Sequence, residues 1–292
     1  MKHFITRFIE AAQQNWHKPA LCDYKGDTFL YADVATQIAK LHIIFRKSGI
    51  KPGDKIALCA KNTARWGIAY LATTAYRAVA VPILNGFTPD NLEKLVEHSD
   101  SVMLFTEKDT WAHMNHENMP RLVAAINIED FSELYSLNDR LASVIPNINA
   151  LFKKAYPNGM KRNLMQYETG EPDDLITISY TSGTTSSPKG IMLSAKNISS
   201  NISFGVKRIQ IPRGGRIVSM LPLAHLYGLA FEFVYPVTSG CCVYFLGKTP
   251  SPAVLLQAFA DVKPYMLITV PLVIEKIFRN KVLPTLEKPA MR

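Results

Sequence analysis

The chain has 292 residues, 48% of them hydrophobic and 20% charged, with a formal net charge of +9. That is enough apolar material for a large core, and it excludes a globally disordered polymer. The basic excess favours anionic partners such as nucleotides and coenzymes. The basic residues are scattered, however, and the densest cluster, KRIQIPRGGR (207–216), lacks the interleaved aromatics of a single-strand binder, which argues against a nucleic-acid partner.

The start, MKHFITRFIEAAQQN, is not a signal peptide, because Arg7 and Glu10 interrupt any apolar run. Phe4, Ile5, Phe8, Ile9 and Ala12 mark one face of a helix instead. Val34, Ile38, Leu41 and Phe45 predict a second helix, ended by Gly49 and followed by a turn at Pro52-Gly53-Asp54. KIALCA (55–60) predicts a strand, 63–77 a helix, AVAVPI (78–83) a strand, a helix opening at Pro89-Asp90, and SVMLFT (101–106) a third strand. That alternation implies an α/β fold with a parallel sheet covered by helices. LVAAINI (122–128) is a further strand, and the polar stretch 156–174 reads as an exposed connection between lobes.

LITISY (175–180) predicts another strand, and Ser194 caps a helix through about Phe204. RIVSML (216–221), CVYFL (242–246) and YMLITV (265–270) are expected strands; 226–238, 253–262 and a segment from Pro271 to about 282 are expected helices. YGLAFEFVYPVTSGCCVYFL (227–246) has the length of a membrane span, but Glu232, Pro236 and Gly240 make it helix, turn and strand. The four cysteines, Cys22, Cys59, Cys241 and Cys242, form no CxxC pair and no zinc-ligand spacing. No metal site is expected from them, and a reduced cytoplasmic setting fits best.

Between the strand ending at Tyr180 and the apolar run Ile191-Met192-Leu193 lies TSGTTSSPKG. A flexible linker and a phosphate-wrapping loop share this composition. The close apolar flanks and Pro188, which biases Ser187 towards extended backbone, favour a short loop on a rigid edge. Such a loop brings many hydroxyl and N–H donors, little bulk at Gly183 and Gly190, and a mobile cation at Lys189. It is not a Walker A loop, which places Lys before Ser/Thr at a helix start.

YTSGTTSSPKGIML (180–193) closely resembles the phosphate-binding signature of the AMP-forming adenylating enzymes. LPLAHLYG (221–228) resembles that family's second core motif, and 51–83 and 263–278 resemble its flanking segments, the latter as found in long-chain fatty acyl-CoA synthetases. The resemblance implies layered β-sheets flanked by helices and a chemistry of acyl-adenylate formation followed by thioester formation. It implies ATP, Mg2+ and coenzyme A, a fatty-acid substrate, no transmembrane segment and possible peripheral membrane contact. It assigns Thr181, Ser182, Gly183, Thr184, Thr185 and Lys189 to the β- and γ-phosphates, His225 to the neighbourhood of the reacting carboxylate and the phosphates, and Tyr227 to the acyl or nucleotide pocket. A capping or core histidine is the alternative for His225.

Ser186 stands where the family commonly has Gly. The adenine segment, the Tyr-Gly-x-Thr-Glu motif with its magnesium-binding acid, the Thr-Gly-Asp motif and the small C-terminal domain with its lysine are not in these 292 residues. The expectation is therefore a truncated N-terminal domain, incomplete at its C-terminus, with lobes 49–204 and 1–48 plus 205–292, inactive alone. A non-catalytic acyl- or polyphosphate-binding module is the rival. Phe231, Phe233 and Tyr235 are candidates for an acyl pocket, at least two of them expected in the core instead.

Overall fold

The computed structural model describes residues 1–181, 189–247 and 251–271, with residues 275, 278, 279 and 283 beyond them. Helix α1 (Phe4–Gln14) starts where the His3 ring accepts from the Ile5 N–H, and it buries Phe4, Ile5, Phe8, Ala11 and Ala12 as one stripe. Strands β1 (Pro19–Asp23) and β2 (Thr28–Leu30) form an antiparallel pair. Helix α2 (Tyr31–Ser48) ends at Gly49, whose φ of 82° lets its N–H reach the Arg46 and Phe45 carbonyls.

There follow β3 (Lys55–Cys59), α3 (Ala64–Ala75), β4 (Val79–Pro82), α4 (Pro89–His98), β5 (Ser101–Thr106), α5 (Lys108–Trp111), β6 (Ala124–Asn127), β7 (Glu133–Ser136) and α6 (Ile148–Ala155). Next are β8 (Leu175–Thr181), β9 (Lys189–Ser194), α7 (Ala195–Arg208), β10 (Arg216–Ser219) and α8 (Leu226–Gly228). A π turn over Leu229–Val234 leads into α9 (Tyr235–Thr238), then β11 (Cys242–Phe245) and α10 (Pro252–Val262).

The larger sheet has the order β7-β6-β5-β3-β4-β8-β9. Its interior pairs from β6 to β8 are parallel, and β7 and β9 are antiparallel edges. The smaller sheet is β10-β11-β1-β2, with β10, β11 and β1 parallel. The interior strands are continuous apolar runs because parallel strands are covered on both faces. One core cluster joins the sheets, with Leu21, Val243 and Phe245 from the smaller and Ile56, Leu58 and Ala80 from the larger.

Phe233 lies within this junction. Its ring centroid is 6.3 Å from Trp66, 5.9 Å from Tyr70 and 6.0 Å from Phe245. A Cβ on Gly67 would stand 3.0 Å from the Phe233 ring, so glycine is what lets α3 approach this closely.

The expected strand 265–270 does not form. Only Met266 bridges, to Ile217; Met266 and Ile268 turn inward while Tyr265, Leu267 and Val270 are exposed, and a run of six residues between Pro264 and Pro271 gains too few partners to extend a ladder. The expected helix from Pro271 to 282 falls largely outside the described residues. Strands β1, β2 and β7 were not anticipated, being short and interrupted by Pro or polar residues. Cys22, Cys59, Cys241 and Cys242 are all buried free thiols. Among the described residues no helix is long and apolar enough to cross a membrane, and 227–246 folds as helix, turn and strand.

Candidate active site

The hydroxyl-rich segment belongs to a β-hairpin. β8 and β9 pair antiparallel, with Ser179 opposite Ile191, Tyr180 opposite Gly190 and Thr181 opposite Lys189. The chain therefore leaves the ladder at Thr181 and re-enters it directly across, at Lys189. Ser182, Gly183, Thr184 and Thr185, with Ser186, lie outside the described residues. Lys189 is exposed at the sheet edge.

The root of the hairpin is tightly packed. A Cβ on Gly190 would lie 2.9 Å from Ile178 Cγ2 and 3.5 Å from the Tyr180 ring. The Tyr180 hydroxyl and His98 Nδ1 are 2.8 Å apart, and burial raises the Tyr180 phenol above its ordinary range. Three residues earlier on β8, the Thr177 hydroxyl lies 3.0 Å from that of Tyr70 on α3.

The stretch LPLAHLYG continues from the end of β10 in the smaller sheet and is pinned to the larger one by two side chains. The Ser179 hydroxyl, buried on β8, donates to the Ala224 carbonyl at 3.0 Å. The Asn62 side-chain amide donates to the Leu221 carbonyl at 2.7 Å, and its Oδ1 accepts from the Leu223 N–H at 3.2 Å. His225 donates its N–H to the Pro222 carbonyl and accepts on its own carbonyl from Leu229. A Cβ on Gly228 would stand 2.9 Å from the Pro222 carbonyl oxygen, so the turn closes on itself only with glycine there. The His225 backbone is thus fixed, while its side chain is exposed at the start of α8. It is neither a buried core histidine nor a side-chain cap.

The structure brings the two motifs together through the Ser179–Ala224 hydrogen bond: its donor lies two residues before Thr181, its acceptor is the neighbour of His225. Ser179, Asn62 and Gly228 were not singled out from sequence. A hydroxyl inside the apolar strand LITISY was the available signal for the first. Tyr227 is half exposed, and its ring lies 5.6 Å from Phe231, which lies 6.5 Å from the exposed Phe204. Phe233 and Tyr235 are core.

A cleft of about 120 Å³ opens beside this region, lined by Ala60, Asn62, Ile83, Ser219, Met220 and Ala224 among others. It sits past the C-terminal ends of β3, β4 and β10, where open parallel sheets receive ligands. His225 and Tyr227 do not line it. Among the described residues no cluster of three or more His, Cys, Asp or Glu is disposed to hold a metal ion.

The chain matches the family described as AMP-binding enzyme over residues 8–290, and it belongs to that family. It is 30% identical over 264 residues to "Probable acyl-activating enzyme 16, chloroplastic" of Arabidopsis thaliana, covering 86% of this chain and 35% of that protein. It is 26% identical over 262 residues to "Long chain acyl-CoA synthetase 6, peroxisomal" of the same plant, covering 88% of this chain and 36% of that protein. The chain thus spans little more than a third of the length of these relatives.

Among solved structures, the inhibitor-bound N-terminal domain of FACL13 from Mycobacterium tuberculosis aligns with a TM-score of 0.76 at 18% identity, over 100% of this chain and 69% of that one. ATP-bound MatB from Rhodopseudomonas palustris aligns with a TM-score of 0.75 at 21% identity, over 96% of this chain and 51% of that one. These likenesses establish the fold: the chain has the layered architecture of an adenylating-enzyme N-terminal domain.

Proposed function

We propose that this chain supplies the triphosphate- and acyl-binding part of an AMP-forming acid–thiol ligase acting on a fatty acid, with a long acyl chain preferred. In this reading a carboxylate oxygen attacks the ATP α-phosphorus, the bond to the β-phosphate oxygen breaks, and pyrophosphate leaves. The thiolate of coenzyme A then attacks the acyl carbonyl and expels AMP. Thr181, Ser182, Gly183, Thr184, Thr185 and Lys189 hold the β- and γ-phosphates through N–H, O–H and ammonium donors as they become the leaving group. His225 stands at the carboxylate.

The observation that carries the reading is the hydrogen bond from Ser179 to Ala224, which ties the hairpin root to the His225 turn. The aromatic series of exposed Phe204, half-buried Phe231 and exposed Tyr227 supports an apolar substrate beside His225. We assign the acyl surface to these three, and not to Phe233 or Tyr235. Mg2+ would neutralise the triphosphate when bound, and the described residues are not assigned to it.

We place the boundary between lobes near 49 and 205, so that 49–204 carries the larger sheet and 1–48 with 205–292 the smaller. We further propose a cytoplasmic location with peripheral contact to the membrane that holds the lipid. Lacking the nucleoside and metal motifs, these 292 residues alone bind the triphosphate without turnover.

The test is ATP–pyrophosphate exchange with carboxylic acids of increasing length, run on the 292-residue chain and on the longest reading frame that contains it. Exchange by the longer polypeptide alone, greatest with long acids, is expected. Exchange by the 292 residues overturns the claim of inactivity, and a best substrate of acetate overturns the long-chain preference. ATP binding without exchange in any frame replaces the ligase with a polyphosphate-binding module.

A further inference from the structure

Glu232 is an acid inside the apolar sequence Leu229–Val234, and no step of the proposed reaction uses it. Its side chain is fully buried. One oxygen, Oε2, accepts three hydrogen bonds: from the Ser219 hydroxyl at 3.1 Å, the Met220 N–H at 3.0 Å and the Leu221 N–H at 2.9 Å. The other, Oε1, has no partner among the described residues. Burying a carboxyl is costly unless hydrogen bonds compensate it.

What these bonds fix is the exit from β10. Ser219 is the last residue of that strand, and Met220 and Leu221 lead into the His225 turn. Their N–H groups point away from the ladder and need an acceptor once buried. The acceptor comes from eleven to thirteen residues further along, so the contact closes a loop with His225 in its middle. The π turn at Leu229–Val234 carries Glu232; single π turns inside α-helices are frequent at functional sites.

We infer that Glu232 is a positioning residue: by gathering Ser219, Met220 and Leu221 onto one carboxyl oxygen it fixes where the His225 turn stands relative to the β8–β9 hairpin. The Asn62 and Ser179 bonds hold that turn from the larger sheet, and Glu232 holds it from its own helix. The inference rests on the reading that His225 serves the acyl carboxylate, and it names the residue that sets its place. Burial raises the carboxyl to about 8 against the lowering effect of its three donors, so a neutral acid accepting through one oxygen is the form to imitate, and glutamine imitates it.

The experiment compares wild type, E232Q and E232L as the 292-residue chain. Amide hydrogen exchange is read at Met220 and Leu221, and ring mobility at His225 by 13C relaxation with labelled histidine. In E232L, exchange at both amides rises at least about tenfold and the His225 ring gains mobility; in E232Q both stay near wild type. Faster exchange in E232L with an unchanged His225 ring makes Glu232 a local cap and overturns the inference, as does unchanged exchange.

If E232L does not fold, E232D takes its place, because the shortened acid cannot reach all three donors; the same two readouts decide. In the longest reading frame, E232Q keeps exchange activity near wild type and E232D lowers kcat with little change in KM for ATP. A parallel H225A variant separates the two claims. If H225A leaves activity intact the proposed role of His225 falls, whereas the relaxation result judges Glu232 by itself.

Discussion

Replacing Glu232 with glutamine isolates the energetic cost of the one acid buried in the helix after the His225 turn. Desolvation moves its carboxyl from 4.5 to about 8, outweighing the bonds from Leu221, Ser219 and Met220. At about 1.4 kcal/mol per tenfold change in proton affinity, this corresponds to roughly 4–5 kcal/mol. Below pH 4.5 the acid is protonated in folded and unfolded chains alike and contributes no penalty. Between 4.5 and 8 the unfolded chain releases a proton that the folded chain keeps, so stability falls as pH rises, and the penalty is complete above 8.

Urea unfolding at pH steps from 4 to 9 gives the curve for each protein. The expected outcome is a wild-type minus E232Q difference that drifts by several kcal/mol against wild type across that window, while His42, Asp23 and the other shifted groups cancel. Two parallel curves would refute the reasoning, because they would mean that the carboxyl is as well solvated in the folded protein as outside it.

Three further outcomes are expected. K189A removes the cation at the re-entry point of the hairpin; titration calorimetry with ATP should show affinity falling about 10- to 100-fold, the weight of a charge-assisted contact. S179A deletes the donor to the Ala224 carbonyl, leaving that buried acceptor without this partner; it should cost about 1–3 kcal/mol in urea unfolding, with increased mobility of the His225 ring. F233A empties the junction of Trp66, Tyr70 and Phe245 and should cost about 3–5 kcal/mol, read as a lowered urea midpoint at unchanged slope.

The parts of the fold legible in the sequence were those whose physics is local. β3, β4, β5 and β8 are unbroken apolar runs between turn residues, as parallel interior strands must be, and helix α7 announces itself by Ser194 with Asn197 at its third position. The hairpin was legible too, because composition and flanks together rejected a linker. β1, β2 and β7 were not: three to five residues each, they are strands only because a neighbour supplies the ladder.

YMLITV shows the converse, an apolar run left unpaired apart from Met266. The supports of the site were least visible of all. Glu232, Asn62 and Ser179 act on backbone carbonyls and N–H groups, which every residue possesses, so their partners leave no mark in the sequence. The π turn shifts Glu232 off the helical spacing by which its direction would be judged.

Pairing Thr181 with Lys189 sets a leash. Covalent geometry alone bounds the reach of seven residues joined to two positions that face each other across a ladder: eight links of about 3.4 Å allow at most about 14 Å. Any anion grasped by that segment therefore sits within that radius of the sheet's rim. If the segment holds the leaving pyrophosphate as proposed, its fixed root limits how far it can follow that anion.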